Sequence, residues 1–170
     1  VPKVNPLTRD VRQDVLAILH ELLAHRLECH YSELPIRWEW HGETALTFPF
    51  FGDCSSTATA ANYFAHGNDP SDLGFRYGNT TSMLNHAQQK NLIIPKAELL
   101  PADFTFFGWD KSINGPEHVA VALQDGTHKD PLYFNMGGPN DPSIQSLSTL
   151  SQIGTPVTFV RNVTKVIVGR

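Results

Sequence analysis

The sequence predicts an α+β fold in which helices come first and an antiparallel sheet of about five strands follows. Three observations predict it. Helical periodicity is confined to the first half, short apolar runs fill the second half, and Gly, Pro, Asp and Asn turns separate those runs. Helices and strands segregated along the chain exclude an alternating βαβ sheet. A length of 170 residues fits one domain, residues 1–170, able to fold without disulfide staples.

From Thr8 to Cys29, apolar residues recur at Val11, Val15, Ile18, Leu19, Leu22, Leu23 and Leu27. That spacing predicts one long amphipathic helix with Thr8 as N-cap, Asp10 in the first turn and Cys29 as a core residue at its end. A loop with Pro and Trp follows from Tyr31 to Pro49; Trp38, Trp40 and Trp109 suit a core or a groove wall equally. Phe50 to Ser56 leads into a small-residue helix from Thr57 to His66, stopped by Gly67. Residues 68–80 read as polar turns and Thr81 to Lys90 as a short helix. Strands are expected at Phe104–Phe107, His118–Leu123, Leu132–Met136, Val157–Arg161 and Val163–Val168.

Composition narrows the function. Apolar residues at 41% and charged residues at 18% describe a folded chain rather than a disordered one. The net charge is −4 and no Lys/Arg run occurs, which argues against nucleic acid as a partner. No purely apolar stretch exceeds about five residues, so no membrane insertion is expected. Two cysteines are too few for a disulfide framework, and the question becomes whether either is chemical.

Cys54 is the candidate. It lies in Gly52-Asp53-Cys54-Ser55-Ser56, where a loop turns into a helix, and unpaired N–H groups at a helix start favour a thiolate. The same groups can hold an oxyanion. The competing reading is a small buried apolar residue. A cysteine nucleophile needs a base, and His118 stands at the mouth of the apolar strand His118–Leu123. With a hairpin turn near Gly126–Thr127, His118 falls roughly opposite Asn135, the expected orienter of the imidazole; Asp130 and His128 lie nearer the turn.

Metal chemistry is not expected. His20-Glu21 and His25 differ from a zinc motif by one residue, which sets the two histidines about 140° apart around a helix. His25 and Cys29 could share an ion but lack further ligands. His41, His66, His86 and His128 read as surface or capping residues.

Taken in order, the motifs resemble the NlpC family of papain-like cell-wall cysteine peptidases, and within it the peptidase domains of actinobacteriophage endolysins. The elements are Tyr31-Ser32-Glu33-Leu34-Pro35-Ile36, Asp53-Cys54-Ser55, Asp69-Pro70, Tyr77-Gly78-Asn79-Thr80-Thr81, Phe107-Gly108, His118 and Asp130-Pro131-Leu132. They span residues 9–142. Ser56 stands where the family usually has Gly, and Asn135-Met136-Gly137 stands where those phage domains carry Ser-His-Gly.

The resemblance implies a papain-like core and thiolate hydrolysis of a peptidoglycan stem peptide, typically at the γ-D-glutamyl–diaminopimelate bond, with no cofactor. It places Tyr31, Asp53 and Ser55 along the substrate groove, with Asp53 toward a substrate amine. It also implies synthesis in the infected host cytoplasm, action on the bacterial wall, and a monomeric domain excised from a larger lysin. Because walls are anionic and the chain carries −4, wall targeting is expected from a separate segment. Two alternatives stand beside this reading: a CHAP-like amidase or peptidase cutting another wall bond, and a wall-binding module without catalysis.

Overall fold

The computed structural model describes residues 5–168, and the ends of the expected 1–170 domain lie outside the described residues. The architecture is α+β, dominated by one antiparallel sheet of six strands.

The expected long first helix is cut short at both ends. Thr8 is not an N-cap: Thr8–Asp10 forms strand β1, and helix α1 runs only over Arg12–Ala24. Asp10 instead accepts a hydrogen bond from the Arg12 backbone N–H at 3.0 Å, turning the chain from strand into helix. Beyond Ala24 a 3₁₀ turn (Arg26–Glu28) leads into strand β2 (Cys29–Tyr31). The Cys29 thiol lies within donating distance of the carbonyls of His25 at 3.4 Å and Leu22 at 3.6 Å, at the end of α1. Cys29 is buried, as expected, but on a strand; burial, with Glu28 beside it, pushes its thiol up to about 11. Strand β3 (Phe50–Gly52) pairs parallel with β2, Tyr31 opposite Gly52.

Helix α2 spans Cys54–Phe64, starting three residues before the expected Thr57. Asp53 and Ser56 form a reciprocal capping box that fixes this start: Asp53 accepts from the Ser56 N–H at 2.8 Å, and Ser56 Oγ accepts from the Asp53 N–H at 2.9 Å. Residues 55 to 62 are all buried, and their small side chains let the helix approach the sheet closely. Helix α3 covers Thr80–Gln89, close to expectation.

The large sheet contains β4 (Ile93–Ile94), β5 (Phe104–Phe107), β6 (His118–Ala122), β7 (Leu132–Asn135), β8 (Ser143–Ser146) and β9 (Val157–Val160), in the order β4-β9-β5-β6-β7-β8. Four of these match expected strands. Val163–Val168 was expected to join them; its central part forms β10 (Lys165–Ile167), which pairs with β1 outside the sheet. Strands β4 and β8 were not anticipated: one has two residues, and the other reads Ser-Ile-Gln-Ser, too polar to register as an apolar run. A short helix α4 (Leu147–Leu150) follows β8.

Strand β6 is buried on both faces, which is why its sequence runs apolar without a break. Val119 and Val121 pack with Phe104, Phe106 and Phe134 into the main core beneath α1 and α2. Ala120 and Ala122 join Phe107 and Tyr133 in a smaller cluster. Trp38 and Trp40 belong to the main core, whereas Trp109 is exposed. Asp103 ties the layers together. Fully buried, it accepts from Arg12 at 3.0 Å, Arg161 at 2.6 Å and the Asn162 N–H at 3.0 Å.

Candidate active site

The start of α2 and the start of β6 meet at one cleft. Cys54, His118 and Asn135 line it together with Tyr31, in a cavity of about 490 Å³. Cys54 is the first residue of α2, held there by the capping box, while Gly52 passes so close to the helix that a Cβ would meet Thr57 Oγ1 at 2.3 Å. The backbone N–H groups of Val119, Ser55 and Cys54 itself act on the sulfur to favour its ionised form. Val119 is the residue after His118, so the strand that carries the imidazole also bears on the sulfur's electrostatics.

His118 is 6% exposed, and its Nε2 lies 2.6 Å from Asn135 Oδ1. The expected pairing of these two residues differs in register. Val121 faces Phe134, and that ladder, continued, sets Asn135 across from Ala120, one diagonal step from His118. Two residues of offset preserve the face, so the side chains still meet. Gly137 leaves room for the ring: a Cβ there would stand 3.1 Å from His118 Cε1. Met136, at the position where the phage domains carry His, is buried in the core. Asp130 and His128 are engaged elsewhere, Asp130 accepting from the Ser148 N–H at 2.8 Å and His128 lying 3.4 Å from Asp125.

The electrostatics modify the sequence expectation. Burial, assisted by the Asp53 charge, pushes the Cys54 thiol up to about 12, against the smaller opposing effect of the three N–H groups. Burial also lowers the His118 pKa, opposed by the Asn135 hydrogen bond and by Asp141 and Asp53. Both shifts favour a neutral thiol beside a neutral imidazole. A helix start alone was expected to yield a thiolate; desolvation outweighs it here.

The three residues expected along the groove separate. Tyr31 lines the cleft and its hydroxyl donates to Glu33 at 2.8 Å. Burial and the Glu33 carboxylate both hold the Tyr31 hydroxyl above its usual range. Asp53 is 7% exposed and its carboxylate is already occupied by Arg37 at 2.8 Å, by the Ser56 N–H and by Ser55 Oγ at 3.3 Å. Ser55 is likewise buried. Neither lines the cleft, and the Asp53 carboxylate, expected toward a substrate amine, is engaged within the protein at the start of α2. The carboxylates that do face the cleft are Glu33, Glu117 and Asp141. Sequence reasoning passed over them, although Glu33 and Glu117 adjoin the motif residues Ser32 and His118.

Among the described residues no group of three or more His, Cys, Asp and Glu side chains is placed to hold a metal, and no helix is long and apolar enough to cross a membrane. Comparison with known protein families, with curated proteins and with solved structures finds no match.

Proposed function

We propose that this chain is an NlpC-type, papain-like cysteine peptidase domain that hydrolyses an amide bond in peptidoglycan stem peptides, with the γ-D-glutamyl–diaminopimelate link as the preferred bond. The observation that carries this reading is the shared cleft of Cys54 and His118, with Asn135 hydrogen-bonded to the imidazole.

The neutral resting pair defines the chemistry. His118 takes the Cys54 proton as the sulfur attacks the scissile carbonyl, through Nδ1, the ring nitrogen that Asn135 does not engage. The C–S bond forms, and the oxyanion is stabilised by N–H groups at the start of α2, which have no intrahelical acceptor. The imidazolium returns its proton to the departing nitrogen as the C–N bond breaks, leaving a thioester. Water, deprotonated by His118, then releases the acid and restores the thiol. Glu33 and Glu117 supply negative charge for an amine-bearing substrate, the role that Asp53 is too enclosed to fill.

In this reading the domain acts as a monomer on the bacterial wall after synthesis in an infected cell, and a separate segment of a larger lysin supplies wall binding. The raised Cys54 thiol favours a second reading, a wall-binding module that kept the fold and lost the chemistry. Digestion of purified diaminopimelate-type walls followed by mass spectrometry decides between them. New free diaminopimelate amines support the peptidase; a different new terminus points to a CHAP-like activity; unaltered walls leave the binding module.

A further inference from the structure

Asp141 closes the polar chain that starts at His118. Its Oδ2 accepts two hydrogen bonds, from Asn135 Nδ2 at 3.1 Å and from the Gly137 backbone N–H at 2.8 Å, while its Oδ1 accepts from Ser143 Oγ at 2.6 Å. It sits beyond the end of β7, in the loop that leads to β8, and lines the same cleft as Cys54 and His118.

The chemistry of these partners fixes directions that a distance alone leaves open. An ionised carboxylate only accepts, so the edge of the Asn135 amide that faces Asp141 must be the NH₂ group. Its carbonyl oxygen therefore faces His118, and an amide oxygen only accepts. His118 Nε2 must then carry the proton, which leaves the lone pair on Nδ1. A neutral imidazole with the opposite tautomer would have no basic nitrogen to offer Cys54. Were Asn135 free to turn over, its NH₂ would face Nε2 and select that unproductive form.

We propose that Asp141 is a positioning residue that locks the Asn135 amide in one orientation and so sets the tautomer of His118. It touches neither sulfur nor substrate carbonyl in this role and acts through Asn135. The Gly137 and Ser143 contacts hold the carboxylate itself in place, so its aim is determined by the loop rather than by Asn135. The proposal rests on His118 serving as the base, but its structural content is the ring's protonation pattern, which can be read without any wall substrate.

The test uses the full chain with ¹⁵N-labelled histidine, comparing wild type with Asp141→Ala and Asp141→Asn. Ring nitrogen shifts report the tautomer, and the rate of Cys54 alkylation by iodoacetamide reports the base. Wild type is expected to show His118 protonated at Nε2. Asp141→Ala is expected to shift His118 toward the Nδ1-protonated form and to slow alkylation about tenfold or more, since a wrong tautomer disables the base. Asp141→Asn keeps the shape and one acceptor oxygen but loses the charge, so it is expected to fall between the two. Wild-type tautomer and wild-type rate in a folded Asp141→Ala would overturn the proposal and leave Asp141 as a loop brace. If Asp141→Ala does not fold, Asp141→Asn decides alone, and wild-type values in both measurements there overturn it. Absence of wall cleavage by the wild-type chain, with the ring shifts behaving as expected, would refute the peptidase reading and leave the positioning role standing.

Discussion

His118 and Asn135 come from neighbouring strands at diagonal positions, yet their side chains meet at 2.6 Å, where both are nearly sealed from water. In the proposed mechanism the ring becomes charged, and a hydrogen bond to a charged group contributes about 1.5–3 kcal/mol. Asn135→Ala is therefore expected to lower the turnover rate by about 10- to 100-fold while leaving substrate affinity nearly unchanged. Steady-state kinetics on purified walls check this; a fall in affinity alone contradicts it.

The half-buried thiol and the buried imidazole predict a distinctive pH profile. Because burial raises the Cys54 pKa and lowers that of His118, no preformed ion pair is expected in the free site. Alkylation of Cys54 by iodoacetamide is expected to be slow in acid, to rise once His118 is neutral, and to keep climbing as the pH goes from 9.0 toward about 12. A plateau of fast alkylation on the acid side would reveal a stable thiolate.

The same shifts bear on stability, with opposite signs at the two ends of the pH scale. The folded pKa of His118 is below its ordinary value of 6.5, so its contribution is present above that pH and is lost as the pH falls toward the folded value. The folded pKa of Cys54 is raised from 9.0 to about 12, so its contribution is present below 9.0 and is lost as the pH rises through that interval. Urea unfolding of His118→Gln beside wild type is expected to show a shallower loss of stability on the acid side. Parallel curves contradict it.

Asp53 raises the Cys54 pKa by its charge and fixes α2 by its shape. Asp53→Asn retains an acceptor for the Ser56 N–H but removes the charge, so Cys54 alkylation at about pH 8 is expected to quicken. Asp53→Ala removes the cap as well and is expected to cost about 1–2 kcal/mol in urea unfolding. If the charge-neutral variant reacts no faster, Asp53 does not act on the thiol electrostatically.

Asp103 holds Arg12 and Arg161 from two ends of the chain in a fully buried position. Asp103→Ala strands both guanidinium groups and is expected to destabilise the fold by about 3–5 kcal/mol in urea unfolding. A loss under about 1 kcal/mol would mean that the two arginines reach water without penalty.

The sheet's central strands were legible because burial on both faces leaves an apolar run that few other structures produce: Phe104–Phe107 was read to the residue, and His118 was placed at the first position of its strand. Edges were not. Ser143–Ser146 forms a strand through backbone pairing with β7 and carries no pattern of its own. The first helix was overextended because Val11 and Leu27 continue its apolar spacing, while β1 is set by the distant partner β10. At the site, Cys54, His118 and Asn135 could be named from local context and hairpin geometry. The engagement of Asp53 could not be read there, since its carboxylate is held by Arg37, 16 residues earlier in the chain. Asp141 was invisible for a related reason: only the fold of its loop aims it at Asn135.

The most direct measurement is the release of free amines from purified peptidoglycan by Cys54→Ala and by His118→Ala, each compared with wild type and each verified as folded. Wild type is expected to release amines, and both variants are expected to fall to background, because neither the sulfur nor the imidazole has a substitute within the cleft. Release at the wild-type rate from either variant would contradict the mechanism.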